Sequence, residues 1–162
     1  MYDRTAATDD LELEELLRDG LGDVGASAGR RVGPGARLGG RLGARIGAAL
    51  LPVRHHEQEL ELLALAPEAA AQLASEVLAH HGHTVWSCEE LGGHRVRGLI
   101  GSGALNMNPA VVDVHVRPGG RLLVHAAAKE GVIPQRTAQK AVRRVIESLR
   151  LAAASYSAAP PS

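Results

Sequence analysis

Ala110–Lys129 reads AVVDVHVRPGGRLLVHAAAK, two apolar-alternating runs joined by Pro118-Gly119-Gly120. Val112, Val114 and Val116 alternate with Asp113 and His115, and Leu122, Val124, Ala126 and Ala128 continue the pattern after the turn. Period-two alternation beside a Pro/Gly break predicts an antiparallel hairpin with one apolar and one polar face. A loop of odd length sends the whole Val/Ala set to one side. With partners whose numbers sum to 240, His115 faces His125 and Asp113 lies beside them.

Similar signals lie on either side. HTVWSCEEL (His83–Leu91) and HRVRGLIG (His94–Gly101) are two further strands, separated by Gly92-Gly93. ELELLAL (Glu59–Leu65) alternates as an opening strand, and Pro67 starts a helix to about His80. The clearest helix runs from about Gln135 to Leu151. Ala138, Ala141, Val142, Val145, Ile146, Leu149 and Ala152 share one stripe, and Gln139, Lys140, Arg143, Arg144, Glu147 and Arg150 take the other. The order β-α-β-β-β-β-α predicts an α+β domain: a single antiparallel sheet of about five strands with two helices on one face. Over residues 59–152 this layout is similar, in architecture alone, to a shortened helix-grip lipid-binding fold. No motif specific to a family accompanies it.

The chain therefore divides into an N-terminal part, 1–56, a compact domain, 57–153, and a tail, 154–162. The N-terminal part opens with a short acidic helix near Asp9–Asp19, capped by Gly20. It continues into a four-residue repeat, GARL-GGRL-GARI-GAAL, from Gly35 to Leu50. At about 100° per residue, Gly35, Gly39, Gly43 and Gly47 form one helical stripe beside Leu38, Leu42 and Ile46. Arg37, Arg41 and Arg45 fall on nearly the opposite side. Small residues every fourth position are what closely packed helices use. Glycine also costs about 1 kcal/mol relative to alanine in a helix interior, so the segment is either a partly disordered linker or a helix that needs a partner. The repeat argues against a membrane span, since each central Arg would cost roughly 2.5–3.5 kcal/mol.

Composition narrows the rest. Of 162 residues 45% are hydrophobic but only 2% aromatic, so the core is built of Leu, Val, Ile and Ala. Formal net charge is zero yet strongly segregated. Residues 1–23 carry eight acids and two bases, 24–56 six arginines and no acid, 57–90 seven acids and no base, and 91–162 ten bases and three acids. Neighbouring blocks of opposite sign suggest intramolecular pairing, with the acidic start screening the Arg segment. Zero net charge and the lack of aromatic platforms disfavour nucleic acid as a partner. Lone Cys88 excludes an internal disulfide and reads as a small core residue. The acidic start lacks the pattern of a signal peptide, which points to the cytoplasm, with peripheral membrane contact as a variant.

No catalytic constellation emerges. Ser102 lacks a nucleophile elbow, and GLIGSG does not open a helix after a strand. His80, His81 and His83 sit at a helix end, and His55-His56 read as solvated. No metal ligand set and no cofactor is assigned. Asn106, Met107 and Asn108, in the long loop Gly101–Pro109, are the candidate ligand-contacting residues.

The leading expectation is a non-enzymatic adaptor or binding module. It docks on a protein partner, on its own copy or on an anionic membrane through the Gly/Arg repeat. The alternative is a carrier of small apolar ligands, with a pocket between sheet and final helix. A metal-dependent enzyme built on His115 and His125 comes third.

Overall fold

The computed structural model describes residues 4–29, 34–62, 65–90, 92–102, 108–131 and 135–157. Nine elements follow in order: α1 (Arg4–Gly29), α2 (Pro34–Ala49), β1 (Val53–Glu61), α3 (Pro67–His81), β2 (Gly82–Glu90), β3 (Gly93–Ser102), β4 (Asn108–Arg117), β5 (Arg121–Lys129) and α4 (Thr137–Ser157). The strands form one antiparallel sheet of order β1-β5-β4-β3-β2, and the chain belongs to the α+β class. β2 through β5 make a meander, and β1 closes onto β5, so both edges come from the first two strands.

Alternation in β4 and β5 does what their sequence predicts. Val112, Val114, Val116, Leu122, Val124, Ala126 and Ala128 are buried on one face, the inner face. There they meet Leu73, Ala74, Val77 and Leu78 of α3 and Ala141, Val142, Val145, Ile146 and Leu149 of α4. Helix α4 begins where the buried Glu130 carboxylate accepts the N–H of Thr137, placing an anion at the positive end of the helix.

The β4–β5 turn contains three residues, with Arg117 opposite Arg121. Gly119 and Gly120 hold φ of 79° and 73°, in the left-handed region that favours glycine. Partners therefore sum to 238. The faces are as expected but the register is shifted by two: the three-residue turn is Pro118-Gly119-Gly120, with both left-handed glycines inside it, where a sum of 240 would centre the turn on Gly120. His115 opposes Leu123, and Asp113 opposes His125.

The N-terminal part departs most from expectation. Helix α1 runs straight through Gly20, and its Leu13 and Leu17 are buried against Val111 and Ala127 on the sheet's other face. That outer face, expected to be solvated, is thus partly roofed. A Cβ on Gly20 would lie 2.9 Å from the Cβ of Pro109, so the glycine permits close approach rather than ending the helix. The chain then reverses, and α2 returns antiparallel beside α1, with Arg45 paired to Asp19 at 3.2 Å and Arg41 to Asp23 at 3.4 Å. The acidic start does screen the Arg segment, and the partner α2 needs is α1.

Strand β1 spans Val53–Glu61 rather than Glu59–Leu65, so the 56/57 boundary falls inside it. As an edge strand it tolerates charges on both sides, and its hydrophobic alternation is correspondingly weak.

Candidate functional site

Helix α2 presents two opposed surfaces. Arg41, Arg45 and the 2% exposed Ala48 turn toward α1. On the other side Leu42, Ile46 and Leu50 are 62%, 59% and 84% exposed. Gly39, Gly43 and Gly47 run alongside, and a Cβ on any of them would meet nothing within 4 Å. An aliphatic ridge and a glycine groove therefore lie side by side, both facing solvent and both uncharged. Gly35, Arg37 and Leu38 belong to the first turns of α2, and their side chains lie outside the described set.

The ligand loop contributes little that is visible. Asn106 and Met107 lie outside the described residues. Asn108 opens β4, and its side-chain amide donates to the Gln135 carbonyl oxygen, tying the strand to the segment before α4. Val142, Val145, Ile146 and Leu149 of α4 are at most 2% exposed and lie in the layer between sheet and final helix. A groove of about 370 Å³ lies between α3 and α4, lined by Leu73, Val77, His80 and Leu151 among others. At its edge His81 Nε2 lies 2.8 Å from Ser148 Oγ. Burial, then His80 and Arg144, push the His81 imidazole below its ordinary pKa.

The outer face of the sheet holds an arrangement that the sequence did not reveal. One residue from each strand lines up in a single rung: Glu57, His125, Asp113, Arg97 and Trp86. Trp86 joins it through a β-bulge between Thr84 and Trp86. Without that extra residue, simple alternation would point the indole to the inner face. The same shift carries Cys88 to the outer side, where it is exposed rather than in the core.

Arg97, 1% exposed, donates to both Asp113 oxygens, Nε at 2.7 Å and Nη2 at 2.8 Å. Its Nη1 donates to Glu12 of α1 at 2.9 Å, and Trp86 Nε1 donates to the other Glu12 oxygen at 2.8 Å. Arg95 adds a 3.1 Å bond to Asp113. Both guanidinium groups lie over the Trp86 ring, 5.2 and 5.0 Å from its centroid. Burial alone would raise the Asp113 carboxyl pKa. The hydrogen bonds and charge of Arg97, then those of Arg95, outweigh that and hold it below the ordinary carboxylate value. The carboxylate is thus an anion held in place, with Glu12 fastening α1 over it.

Histidines continue the rung toward β1. His125 Nδ1 lies 4.0 Å from Asp113 Oδ2, and His125 Nε2 lies 3.1 Å from His55 Nδ1, the two rings stacked at 5.3 Å. His115 leans instead toward Glu90, with Nδ1 3.6 Å from Oε2. The expected His115–His125 pair is therefore replaced by His55–His125. Burial pushes both inward-leaning imidazoles, His115 and His125, below their ordinary pKa. Arg95 adds to this at His115, and His55 at His125, while Asp113 opposes it at both.

No protein-family model matches the chain, and no curated protein matches its sequence. Among solved structures, an uncharacterized protein from Rhizobium leguminosarum is similar over 65% of this chain and 98% of its own. The identity is 12% and the TM-score 0.32, and at that level the likeness carries no argument about fold details or function. No helix of the described residues is long and apolar enough to cross a membrane.

Proposed function

We propose that this chain is a non-enzymatic self-association module, in which the outward face of α2 docks on the same face of a second copy. The supporting observation is the sorting of α2 into two surfaces. Arg41 and Arg45 are turned toward acids of their own chain, which leaves an exposed face on which Leu42 and Ile46 stand beside the open stripe Gly39, Gly43 and Gly47. A ridge next to its own groove is self-complementary under a two-fold axis, where the ridge of each copy seats in the groove of the other. Pairing Arg41 and Arg45 with Asp23 and Asp19 also removes the repulsion that two basic helices would otherwise meet.

The same sorting argues against the anionic membrane as the occupant. Lipid attraction draws on free positive charge, at roughly 1 kcal/mol per basic residue, and Arg41 and Arg45, though half exposed, are each paired with an aspartate of α1. A helix of 16 residues is about 24 Å long at 1.5 Å per residue. One such face falls short of the roughly 800 Å² per partner of a standard interface. The association is accordingly reversible and concentration-dependent.

Sedimentation equilibrium of the full chain tests this. The wild type should show mass rising toward two chains with concentration, and Leu42→Glu with Ile46→Glu should stay at one. Both substituted side chains are exposed, so folding is retained and circular dichroism verifies it. A wild type that remains at one-chain mass up to its solubility limit contradicts the proposal. Co-sedimentation with acidic vesicles, with no self-association, would instead assign the face to lipid.

A further inference from the structure

We propose that His55 and His125, completed by Glu57, bind a divalent transition-metal ion of the zinc, nickel or copper type. The two ring nitrogens that face each other, His55 Nδ1 and His125 Nε2, are 3.1 Å apart. Two imidazoles on one tetrahedral ion, each at about 2.0–2.1 Å, have nitrogens roughly 3.3–3.4 Å apart. The rings meet nearly head-on, so a spread of a few tenths of an ångström together with a turn of both imidazoles that makes their lone pairs converge gives a bidentate grip; His55 lies on the exposed edge strand, where such a movement is cheap.

The surroundings of His125 suit a ligand. Its other nitrogen, Nδ1, faces the Asp113 carboxylate at 4.0 Å. That is longer than a hydrogen bond, yet the field of the anion favours the tautomer with a proton on Nδ1, leaving the Nε2 lone pair directed toward His55. A carboxylate behind a ligating histidine fixes its tautomer and raises its basicity. Asp113 is in turn held by two of the three guanidinium nitrogens of Arg97, Nε and Nη2, so this support is rigid.

Glu57 supplies the third donor by position. It stands directly opposite His125 in the β1–β5 register, on the same face, and its side chain is exposed. Among the described residues no three His, Cys, Asp or Glu side chains already stand together as a metal-holding group. The site is therefore a two-histidine grip that recruits Glu57, with water at the open position. Imidazole nitrogens without thiolate select zinc, nickel or copper over magnesium or calcium. The half-open position of His125 and the exposed position of His55 give the ion a direct path from solvent.

The experiment is titration of the metal-free full chain with zinc chloride by calorimetry, and with copper sulfate by electron paramagnetic resonance. The expected result is one ion per chain, with a copper spectrum showing coordination by two nitrogens. His55→Ala and His125→Ala should each weaken binding about tenfold or more, while Glu57→Gln weakens it less. His115→Ala, on the same face, and His56→Ala, on the neighbouring position of the opposite face, should bind like wild type. Circular dichroism of each variant separates loss of a ligand from loss of fold, and the exposed His55 gives the cleaner of the two. A wild type that takes up no zinc or copper, binding unchanged by both His55→Ala and His125→Ala, or binding lost instead with His80→Ala and His81→Ala, each overturns the site.

Discussion

Arg97 is the residue on which the outer face depends. A guanidinium 1% exposed, bonded to Asp113 and Glu12, cannot be removed without stranding a buried anion. Arg97→Met should therefore cost about 3–5 kcal/mol, and Arg97→Met with Asp113→Leu should recover most of that. Urea denaturation of the two variants checks it; a single variant as stable as wild type would contradict the rung. His81 gives a pH prediction. Its folded-state pKa is depressed by burial, His80 and Arg144, so its contribution is present above the unfolded value, near 6.5, and is lost as pH falls below it. The melting temperature should drop between pH 7.5 and 5.5, and His81→Gln should show a smaller drop. Equal drops would show that His81 does not titrate against the fold. Much at this scale was legible: period two sent Asp113, His115 and His125 to one face. What sequence could not supply was register, because sums of 238 and 240 bury the same Val/Ala set and differ only in which polar groups meet.

Elements show where local preference yields to packing. Glycine predicted an end for α1 at Gly20, yet the helix continues because the missing Cβ lets it approach Pro109. Gly39 sits in an identical helical context but faces open space. Gly39→Ala should raise the stability of the folded chain by up to about 1 kcal/mol, whereas Gly20→Ala should lower it, since overpacking at about 1–3 kcal/mol exceeds the same propensity gain. Differential scanning calorimetry decides the signs, and a stabilising Gly20→Ala would mean that α1 is not seated on the sheet as described. The helices α3 and α4 and the strands β2 to β5 were readable because each alternates or repeats cleanly around the inner core. Strand β1 was misplaced because, at the sheet edge, charges such as Arg54, Glu57 and Glu59 need no burial. The bulge that turns Trp86 outward leaves no mark in composition, and neither does its consequence for Cys88.

At the scale of the whole molecule, the charge blocks resolve into contacts. The acidic start pairs with α2 through Asp19 and Asp23 and with the sheet through Glu12, and Glu90 of the second acidic block meets Arg95 and His115. Among the described residues the inner core involves only those from β1 to α4, while α1 roofs Leu99, Val111 and Ala127. Removing residues 1–50 should thus leave a cooperatively folding sheet with a lower melting temperature and new binding of an apolar dye. No dye binding would mean that α1 covers nothing of consequence. What α1 and α2 build together is an exposed face on α2, and on the proposed reading a second copy covers it. In a two-fold pair, the crossing point brings the same position of both copies together. With Cys88→Ser as background, single cysteines at Gly39, Gly43 and Gly47 should give disulfide-linked dimers under mild oxidation, strongest at one position of the stripe. A cysteine at Gly119, on the distant β4–β5 turn, should not. Cross-linking at the stripe no faster than at Gly119 would contradict the account.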